Sequence, residues 1–298
     1  MSDERAALVG DDRVALVVLT HERRERVCRT LAHALALPEA PELVVVDNGS
    51  RDGTAAAVER LAPDACVIRS PLNLGAAGRN LGVAATSRPY VAFSDDDTWW
   101  EPGALRRAAD LLDAAPALAV VSARVRVAPD GRLDPACRTM AASPLGRRAD
   151  GGMRLVGFLA GACVVRRSAF LAAGGYDARL FLGAEESLLA LELLARGFEI
   201  AYFADVVAHH APASRDPRRR RVLLLGNEIQ VAWLRRPLPR ALAITRERLA
   251  EARRHGALTD VAAGCLRAWP RLARERRVVS PAVEDALRRV ESLGASAH

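Results

Sequence analysis

The 298-residue sequence predicts an α/β fold, with a mostly parallel sheet flanked by helices and a helical extension at the C-terminal end. In roughly the first hundred residues, short apolar runs rich in valine alternate with segments of helical periodicity. Such alternation is typical of parallel strands joined by crossover helices. After residue 210 the sequence becomes arginine-rich and its apolar residues recur with helical periodicity. We therefore expect a sheet domain over residues 1–210 and an extension over residues 211–298.

Four apolar runs are the predicted strands of the N-terminal half. They cover residues 13–20, 42–46, 65–69 and 90–93. Short runs that are apolar throughout indicate strands buried on both faces of a sheet. Because crossover connections are right-handed, we expect successive strands to lie side by side.

The segments between these runs indicate helices. Residues 21–37 place Val27, Leu31 and Leu35 on one helical face. The second strand ends in a turn rich in Asp, Asn and Gly, and a helix is predicted from there to about Leu61. A glycine-punctuated segment, 73–82, precedes the fourth strand.

Three consecutive carboxylates, Asp95, Asp96 and Asp97, follow the fourth strand at once. Adjacent carboxylates repel one another, and this repulsion is tolerable in water or around a cation. Mg²⁺ and Mn²⁺ prefer oxygen ligands and usually also take substrate phosphate. The alternative is a solvated acidic turn in which Asp97 or Thr98 caps a helix that starts near residue 101.

The polar residues at the strand ends are expected to meet. A parallel sheet gathers the carboxyl ends of its strands on one edge, where ligands bind. Thr20, Asp47 and the acid cluster each follow a strand, so they predict a single crevice. Taken alone, Asp47 would more often be a helix cap or an Asx-turn residue. Three polar strand ends in register favour the ligand site.

Composition limits the classes of function. An uninterrupted run of about 18 apolar residues would indicate a membrane span, and the sequence has none. The charged N-terminus lacks the apolar core of a signal peptide. The five cysteines are scattered without CxxC spacing, which predicts neither a zinc site nor a disulfide framework and favours a reducing cytoplasm. All 43 basic residues are arginine, so a catalytic Schiff-base lysine and a P-loop lysine are excluded.

The positive charge is concentrated in the C-terminal part. Residues 211–298 hold 19 arginines against nine acids, whereas residues 1–210 hold 24 against 27. This asymmetry predicts an anionic surface or partner for the extension. Residues 214–221 are expected to form a mobile or substrate-covering loop, and residues 222–234 and 238–254 to form amphipathic helices.

Two interpretations of these arginine-rich helices remain open. Trp233 and Trp269 among the arginines would suit peripheral contact with the inner face of a membrane. A packed helical cap whose arginines face water is the other interpretation. The sequence has no recognisable groove-reading signature, so we do not expect nucleic acid binding.

Several motifs, taken together, resemble the family 2 glycosyltransferases, which are inverting, nucleotide-sugar-dependent enzymes of the Rossmann-like GT-A fold. The resemblance covers about residues 14–210. It rests on VVVDNGSRDGT at 44–54, NLGAAGRNLG at 73–82, FSDDDTWWEPG at 93–103, the segment 158–181, GAEES at 183–187, and His209-His210 after a strand.

The resemblance implies transfer of a hexose-type sugar from a nucleoside-diphosphate sugar to an acceptor hydroxyl, with Mn²⁺ or Mg²⁺ as cofactor. A glycan, a lipid-linked acceptor and a natural product remain possible acceptors. By the resemblance, Asp95 and Asp97 hold the metal and Asp96 lies toward the ribose. The residues it implies for donor binding are Thr20, Asp47, Asp52, Arg79, Asn80, Asp95 and Asp96.

The resemblance also implies the catalytic base. Glu185 and Glu186 stand where the family places that base, more often as the second acid, so Glu186 is favoured. The competing interpretation is an acid pair that opens a buried, leucine-rich helix and gains from its dipole. His209 matches a late histidine that can complete the metal shell, with His210 as the alternate or both as a surface pair.

The sequence departs from the family pattern at two places. His21 and Glu22 stand where an aromatic residue and an asparagine are frequent, which puts nucleobase contacts at this loop in doubt. Leu188 and Glu192 stand downstream of the Glu pair where an acid and an arginine are frequent, which weakens the inference about the acceptor. Apart from these departures, Trp99 and Trp100 follow the acid cluster and could stack on a sugar or pack against the sheet.

Two other functions compete with glycosyl transfer. A nucleotidyltransferase that makes a nucleotide sugar usually has a glycine-rich loop near the N-terminus, and residues 20–23 lack the glycines. A non-catalytic sugar-binding protein on the same fold would not require both the acid cluster and the Glu pair.

Overall fold

A mixed sheet of ten strands forms the centre of the part of the chain that the structure, a computed structural model, describes: residues 10–212 and 217–295. The strands are β1 (Val14–Thr20), β2 (Glu42–Asp47), β3 (Cys66–Arg69), β4 (Tyr90–Asp95), β5 (Thr98–Trp100), β6 (Leu118–Val127), β7 (Arg132–Leu133), β8 (Met153–Leu155), β9 (Ala162–Arg166) and β10 (Glu199–His210).

Helices cover both faces of this sheet and form the C-terminal extension. They are α1 (Arg24–Leu35), α2 (Thr54–Leu61), α3 (Gly78–Ala85), α4 (Ala104–Ala114), α5 (Pro135–Ala141), α6 (Arg167–Ala172), α7 (Glu185–Ala195), α8 (Pro217–Arg235), α9 (Leu238–Arg254), α10 (Leu258–Glu275) and α11 (Pro281–Ala295). Short 3₁₀ turns occupy Gly75–Ala77 and Ala178–Leu180.

The predicted α/β architecture is confirmed, and the strand order adds a correction. Along the sheet the order is β3-β2-β1-β4-β9-β6-β10-β5. Strand β4 therefore pairs with the free side of β1, and the expectation that successive strands lie side by side is wrong at this step. The order reverses between β1 and β4, and such a switch point leaves a crevice outside the carboxyl ends of the strands.

The second half of the sheet mixes strand directions. Strands β6 and β10 pair in parallel, as do β1, β2, β3 and β4 among themselves. Strand β9 runs antiparallel between β4 and β6 and joins the two parallel groups. The side chains of Val17, Val44 and Phe93 are fully buried, as their all-apolar strands predict.

The acid cluster does not lead directly into a helix. Residues 98–100 form β5, which pairs antiparallel with the end of β10. Helix α4 begins only at Ala104, after Gly103 with φ of +84°. The predicted helix cap at Asp97 or Thr98 is therefore wrong, because pairing with β10 keeps the backbone extended.

The C-terminal helices pack on the sheet domain through α7. Leu188 and Leu191 of α7 share an apolar cluster with Val231 and Leu234 of α8. Arg235 of α8 also pairs with Glu192 of α7 at 2.5 Å. A division of the chain at residue 210 stays a prediction, and these contacts join the two parts.

The arginine-rich segment after β10 differs from its prediction. Residues 214–216 lie outside the described residues, whereas residues 217–221 begin α8 and are not a loop. Within the described ranges, no helix combines the length and apolar character needed to cross a bilayer.

Candidate active site

A crevice of about 670 Å³ opens beyond the carboxyl ends of β1 and β4. Of the polar strand ends predicted to meet, Thr20 and the acid cluster line this crevice and Asp47 does not, while the first turn of α7 contributes the acid pair. The residues singled out from the sequence that line the crevice are Thr20, His21, Arg79, Asp95, Asp96, Asp97, Glu185, Glu186 and His210.

Asp95 ends β4 with its carboxylate held between Arg79 and Gly161. The Arg79 guanidinium forms an ion pair with Asp95 and lies over the rings of Phe93 and Tyr176, with 5.9 and 5.8 Å to their centroids. A Cβ at position 161 would stand 2.8 Å from Oδ2 of Asp95. Glycine at this position therefore leaves room for the carboxylate.

Asp96 is tied to the first strand and the first helix. Its carboxylate accepts from the Thr20 hydroxyl at 3.3 Å and from Arg23 Nη1 at 2.8 Å. The Thr30 hydroxyl of α1 donates to the Asp96 backbone carbonyl at 2.9 Å. Burial raises the pKa of Asp96, and the neighbouring Asp97 and Asp95 charges raise it further against the effect of Arg23.

Asp97 is buried, with 3% of its surface exposed. Arg23 lies 3.5 Å and Arg26 3.8 Å from its Oδ2, while His210 Nε2 lies 3.5 Å from Oδ1. The hydrogen bond to Asp97 raises the pKa of His210. Two arginines and an imidazole thus surround this carboxylate.

The structure places His210, and not His209, beside the acid cluster. Neighbouring residues of a strand point to opposite faces of the sheet, and in β10 His209 pairs with Trp99 of β5. The His209 ring stacks on Trp99 with 5.4 Å between centroids, and its Nε2 lies 2.8 Å from Glu101. The predicted metal role of His209 does not fit this placement.

The donor set in the crevice suits a hard divalent ion, although it is not arranged as a closed site. Among the described residues, no group of three or more His, Cys, Asp or Glu side chains is positioned to hold an ion as they stand. The Asp95, Asp96 and Asp97 carboxylates are instead paired with arginines. Carboxylate oxygens with one imidazole are ligands that Mn²⁺ and Mg²⁺ accept, and Gly161 leaves space at Asp95.

Three residues predicted to bind the donor lie outside the lining of the crevice. Asp47 is buried and its Oδ1 accepts from the Ser50 amide at 3.1 Å, as in an Asx turn. Asp52 accepts from the amides of Arg24 and Thr54. The Asn80 amide bonds both backbone groups of Tyr176, at 2.8 and 2.9 Å. These contacts shape the loops of the fold.

The acid pair opens α7 after a strained backbone turn. Gly183 and Ala184 have φ of +91° and +65°, and a positive φ is uncommon for a residue with a Cβ. Glu185 is 4% exposed, burial raises its pKa, and its buried Oε2 has no hydrogen-bond partner among the described residues. Burial, and then the Glu185 charge, raise the pKa of Glu186 to about 7.

Helix α8 fixes the turn that leads to this acid pair. Asn227 is buried, and its side-chain amide donates to the carbonyls of Leu180, Leu182 and Gly183 at 2.5, 3.2 and 2.7 Å. Arg220 and Leu224 of the same helix line the crevice. The C-terminal extension therefore contributes directly to the site.

Arg23, Arg26 and Asn227 are site residues that the sequence did not predict. Arg23 follows β1 by three residues, and its position just beyond a strand end was an available signal. Arg26 and Asn227 offered no local signal, because their partners lie far away in the chain. Trp99 packs between the rings of His33 and His209, and Trp100 is buried, and these contacts fit the packing interpretation of both residues.

A family model agrees with this geometry. Residues 15–173 match the model described as glycosyl transferase family 2. The match includes β1 to β4, the acid cluster and Gly161, and it ends before α7.

One curated relative resembles a longer part of the chain than the family model does, and another resembles a shorter part. N-acetylglucosaminyl-diphospho-decaprenol L-rhamnosyltransferase of Mycobacterium tuberculosis is 29% identical over 244 residues, spanning 69% of this chain and 79% of that protein. Succinoglycan biosynthesis protein ExoU of Rhizobium meliloti is 37% identical over 97 residues, which span 31% of this chain and 28% of that protein.

Solved structures share the fold. The mannosyltransferase PcManGT from Pyrobaculum calidifontis, in complex with GDP-Man and Mn²⁺, has a TM-score of 0.59 at 21% identity over 95% of this chain and 88% of that chain. GalNAc-T7 with UDP, GalNAc and Mn²⁺ has a TM-score of 0.58 at 14% identity, covering 78% of this chain and 48% of that one.

Proposed function

The chain belongs to glycosyltransferase family 2 and is a glycosyltransferase, and we propose that it moves a sugar from a nucleoside-diphosphate sugar to an acceptor hydroxyl with inversion of the anomeric centre. One observation supports this proposal most strongly: the acid cluster after β4 and the acid pair of α7 line the same crevice. The first set is suited to the diphosphate side of the donor and the second to the acceptor side.

Glu186 is the proposed general base. The acceptor hydroxyl gives its proton to the Glu186 carboxylate as its oxygen bonds to the anomeric carbon. The bond from that carbon to the donor diphosphate breaks at the same time, and the nucleoside diphosphate leaves with the electron pair. A carboxylate whose pKa is raised to about 7 is a stronger base than an ordinary one, and about half of it is ionised at pH 7.

Asp95, Asp97 and His210 are the proposed holders of a divalent ion. The carboxylates would exchange their arginine partners for the ion, and His210 replaces His209 in this assignment because it faces Asp97. A bound Mn²⁺ or Mg²⁺ supplies a Lewis acid that neutralises charge on the leaving diphosphate. The structures of PcManGT and GalNAc-T7, which contain Mn²⁺, are consistent with this choice.

The donor pocket is proposed to involve Thr20 and Arg79, which line the crevice. Roles for Asp47 and Asp52 in contacting the nucleobase stay predictions, and their observed contacts support the loop itself. Asn80 acts through Tyr176 as a positioning residue.

A lipid-linked acceptor is the favoured acceptor class. The relative from Mycobacterium tuberculosis is named for rhamnosyl transfer to N-acetylglucosaminyl-diphospho-decaprenol. Peripheral contact with an anionic membrane is proposed for the extension, where Leu266 and Trp269 of α10 are 74% and 49% exposed.

A panel of nucleotide sugars tests the proposed function. With Mn²⁺ present, we expect one donor to raise the melting temperature by mass action and to be hydrolysed slowly to its nucleoside diphosphate, and chelation should abolish both effects. Proton NMR of the product formed with an acceptor reports the anomeric configuration. Pyrophosphate release from a nucleoside triphosphate and a sugar phosphate would instead favour a nucleotidyltransferase, and donor binding without any turnover would favour a sugar-binding protein.

A further inference from the structure

A second cavity, of about 550 Å³, lies between the sheet domain and the C-terminal helices. Its walls come from α5, the segment 156–159, α7, α8, α9 and α11. We name it the apolar cavity, because aliphatic and aromatic side chains make up most of its lining. Met140, Leu155, Phe158, Leu191, Val231 and Ile244 are representative.

The apolar cavity adjoins the crevice at the acid pair. Phe158 and Leu159 line both spaces. In the first turn of α7, Glu185 and Glu186 line the crevice, while the next residue, Ser187, lines the apolar cavity. A ligand that fills the apolar cavity therefore ends close to the proposed base.

The charges around the apolar cavity are already matched. Arg236 lies 2.6 Å from Glu284 and 2.7 Å from Glu291. Arg240 lies 3.1 Å from Glu291, and Arg248 lies 2.8 Å from a Glu228 carboxylate oxygen. Each arginine among the described side chains that line this cavity thus has a carboxylate partner. Such walls favour an uncharged apolar group over a phosphate.

We propose that the apolar cavity binds an apolar group carried by the acceptor, so that the hydroxyl attached to it reaches Glu186. The proposal rests on the proposed function. The volume lies within the range of pockets that bury one drug-sized group, roughly 300–1,000 Å³. The apolar group could be a lipid chain or the ring system of a natural product, and these share the same chemistry. A purely polar glycan acceptor has no use for such a cavity.

Alkyl β-glucosides of increasing chain length are suitable probes. Below their micelle-forming concentrations, calorimetry on the full chain should show affinity that rises by up to about fourfold with each added methylene from hexyl to decyl. A naphthyl β-glucoside, measured in the same way, tests whether the cavity binds an aromatic ring system. A rise that continues to decyl identifies a lipid chain, and a naphthyl glucoside that binds more tightly than every alkyl one identifies a ring system.

Two variants on different walls should block the apolar cavity. A Cβ at Gly157 would meet nothing within 4 Å, so Gly157→Phe can enter open space. Thr139 is an exposed residue of α5 that also lines the cavity, and Thr139→Trp blocks it from that side. The matched control is Gly264→Phe on α10, where a Cβ also meets nothing within 4 Å and which lines neither space.

We expect both blocking variants to lower the affinity for decyl glucoside at least tenfold and to flatten its dependence on chain length, while Gly264→Phe binds like the wild type. Donor binding with Mn²⁺, measured on the same proteins, should not change. Chain-length dependence that survives both blocking variants, or that is absent from the wild type, overturns the proposal. If the wild type binds no nucleotide sugar while blocking still abolishes alkyl binding, the proposed function has failed and the assignment of the cavity to an acceptor falls with it.

Discussion

The crevice and the apolar cavity meet at the first turn of α7, yet they are built in different ways. The crevice is polar, and most of its acids form two short runs in the sequence, 95–97 after β4 and 185–186 at the start of α7. The fold brings these two runs together at the edge of the sheet where strands end. The apolar cavity is bounded by residues scattered from Ala136 to Leu293 that only helix packing brings together. Functional residues that follow strand ends can be recognised in the amino-acid sequence, whereas a cavity between packed helices cannot.

The largest effect is expected from the acid pair that separates the two spaces. Glu186→Gln should lower kcat for transfer by about 10²–10⁴-fold, because the hydroxyl then has no proton acceptor. Donor affinity with Mn²⁺ should be kept. Glu185→Gln is the matched control, and a larger loss there than in Glu186→Gln would reassign the base.

The same variant has a signature in stability. Because the folded-state pKa of Glu186 is about 7 against an ordinary 4.5, its contribution to stability is fully present below pH 4.5 and is lost as the pH rises through about 7. At pH 8 the free energy of unfolding of Glu186→Gln should therefore exceed that of the wild type by at most about 3 kcal/mol, and its melting temperature should be higher. At pH 4 the two proteins should be equally stable. Activity of the wild type should fall as the pH drops below about 7.

The next effect concerns the ion pairs of the apolar cavity. Arg236 and Glu284 are 5% and 4% exposed, so Arg236→Met leaves a buried carboxylate with less compensation and should cost about 3 kcal/mol in urea unfolding. Arg240→Met is the control, because the side chains of its partners Glu247 and Glu291 are 46% and 34% exposed, and it should cost less than about 1 kcal/mol. Equal costs would mean that burial does not set the strength of these pairs.

A smaller effect distinguishes the two histidines of β10. His210→Ala should weaken the Mn²⁺-dependent part of nucleotide binding about tenfold, a loss of about 1.4 kcal/mol. His209→Ala, on the opposite face with Trp99, should leave that binding unchanged. The reverse pattern in a calorimetric titration would restore the original assignment to His209.

The smallest effect is expected at the surface of the extension. The chain should float with anionic vesicles at low salt and be released at high salt. Trp269→Ala should weaken this association about threefold, whereas Leu72→Ala, at an even more exposed apolar residue of the sheet domain, should not. Equal association with neutral vesicles would count against an electrostatic membrane contact.

Much of the N-terminal fold could be predicted, because β1, β2 and β4 are largely buried strands with apolar runs, whereas β3 is short and its residues are exposed or half-buried. The acid cluster was found by its position after a strand, and the Glu pair was found by its match to the family pattern. The choice between His209 and His210 could not be made from alternation alone, since the pairing of β10 with β6 shifts register between Phe203 and Val207. That irregularity changes which residues face the crevice.

Other parts of the site depend on contacts that no local pattern records. Arg26 reaches Asp97 because β4 crosses to the free side of β1, a step that the expected strand order does not contain. Asp52 and Asn80 stand within recognisable motifs and yet stabilise loops, because their amide and carboxylate groups satisfy nearby backbone. A motif identifies a segment more reliably than it assigns each polar side chain.

The hydrogen bonds from the Asn227 side chain to the turn before α7 have a consequence for the synthesis of the protein. Its carbonyl partner Gly183 lies 44 residues earlier in the chain, so the turn before Glu185 is left without these hydrogen bonds while the ribosome is still adding α8. The nascent protein would already contain every recognised motif, but the entrance to α7 would lack its support. We therefore expect competence for sugar transfer to arrive late in synthesis, and a premature stop after β10 to yield a product that keeps the family's sequence motifs but lacks the Asn227 hydrogen bonds at the turn before the proposed base.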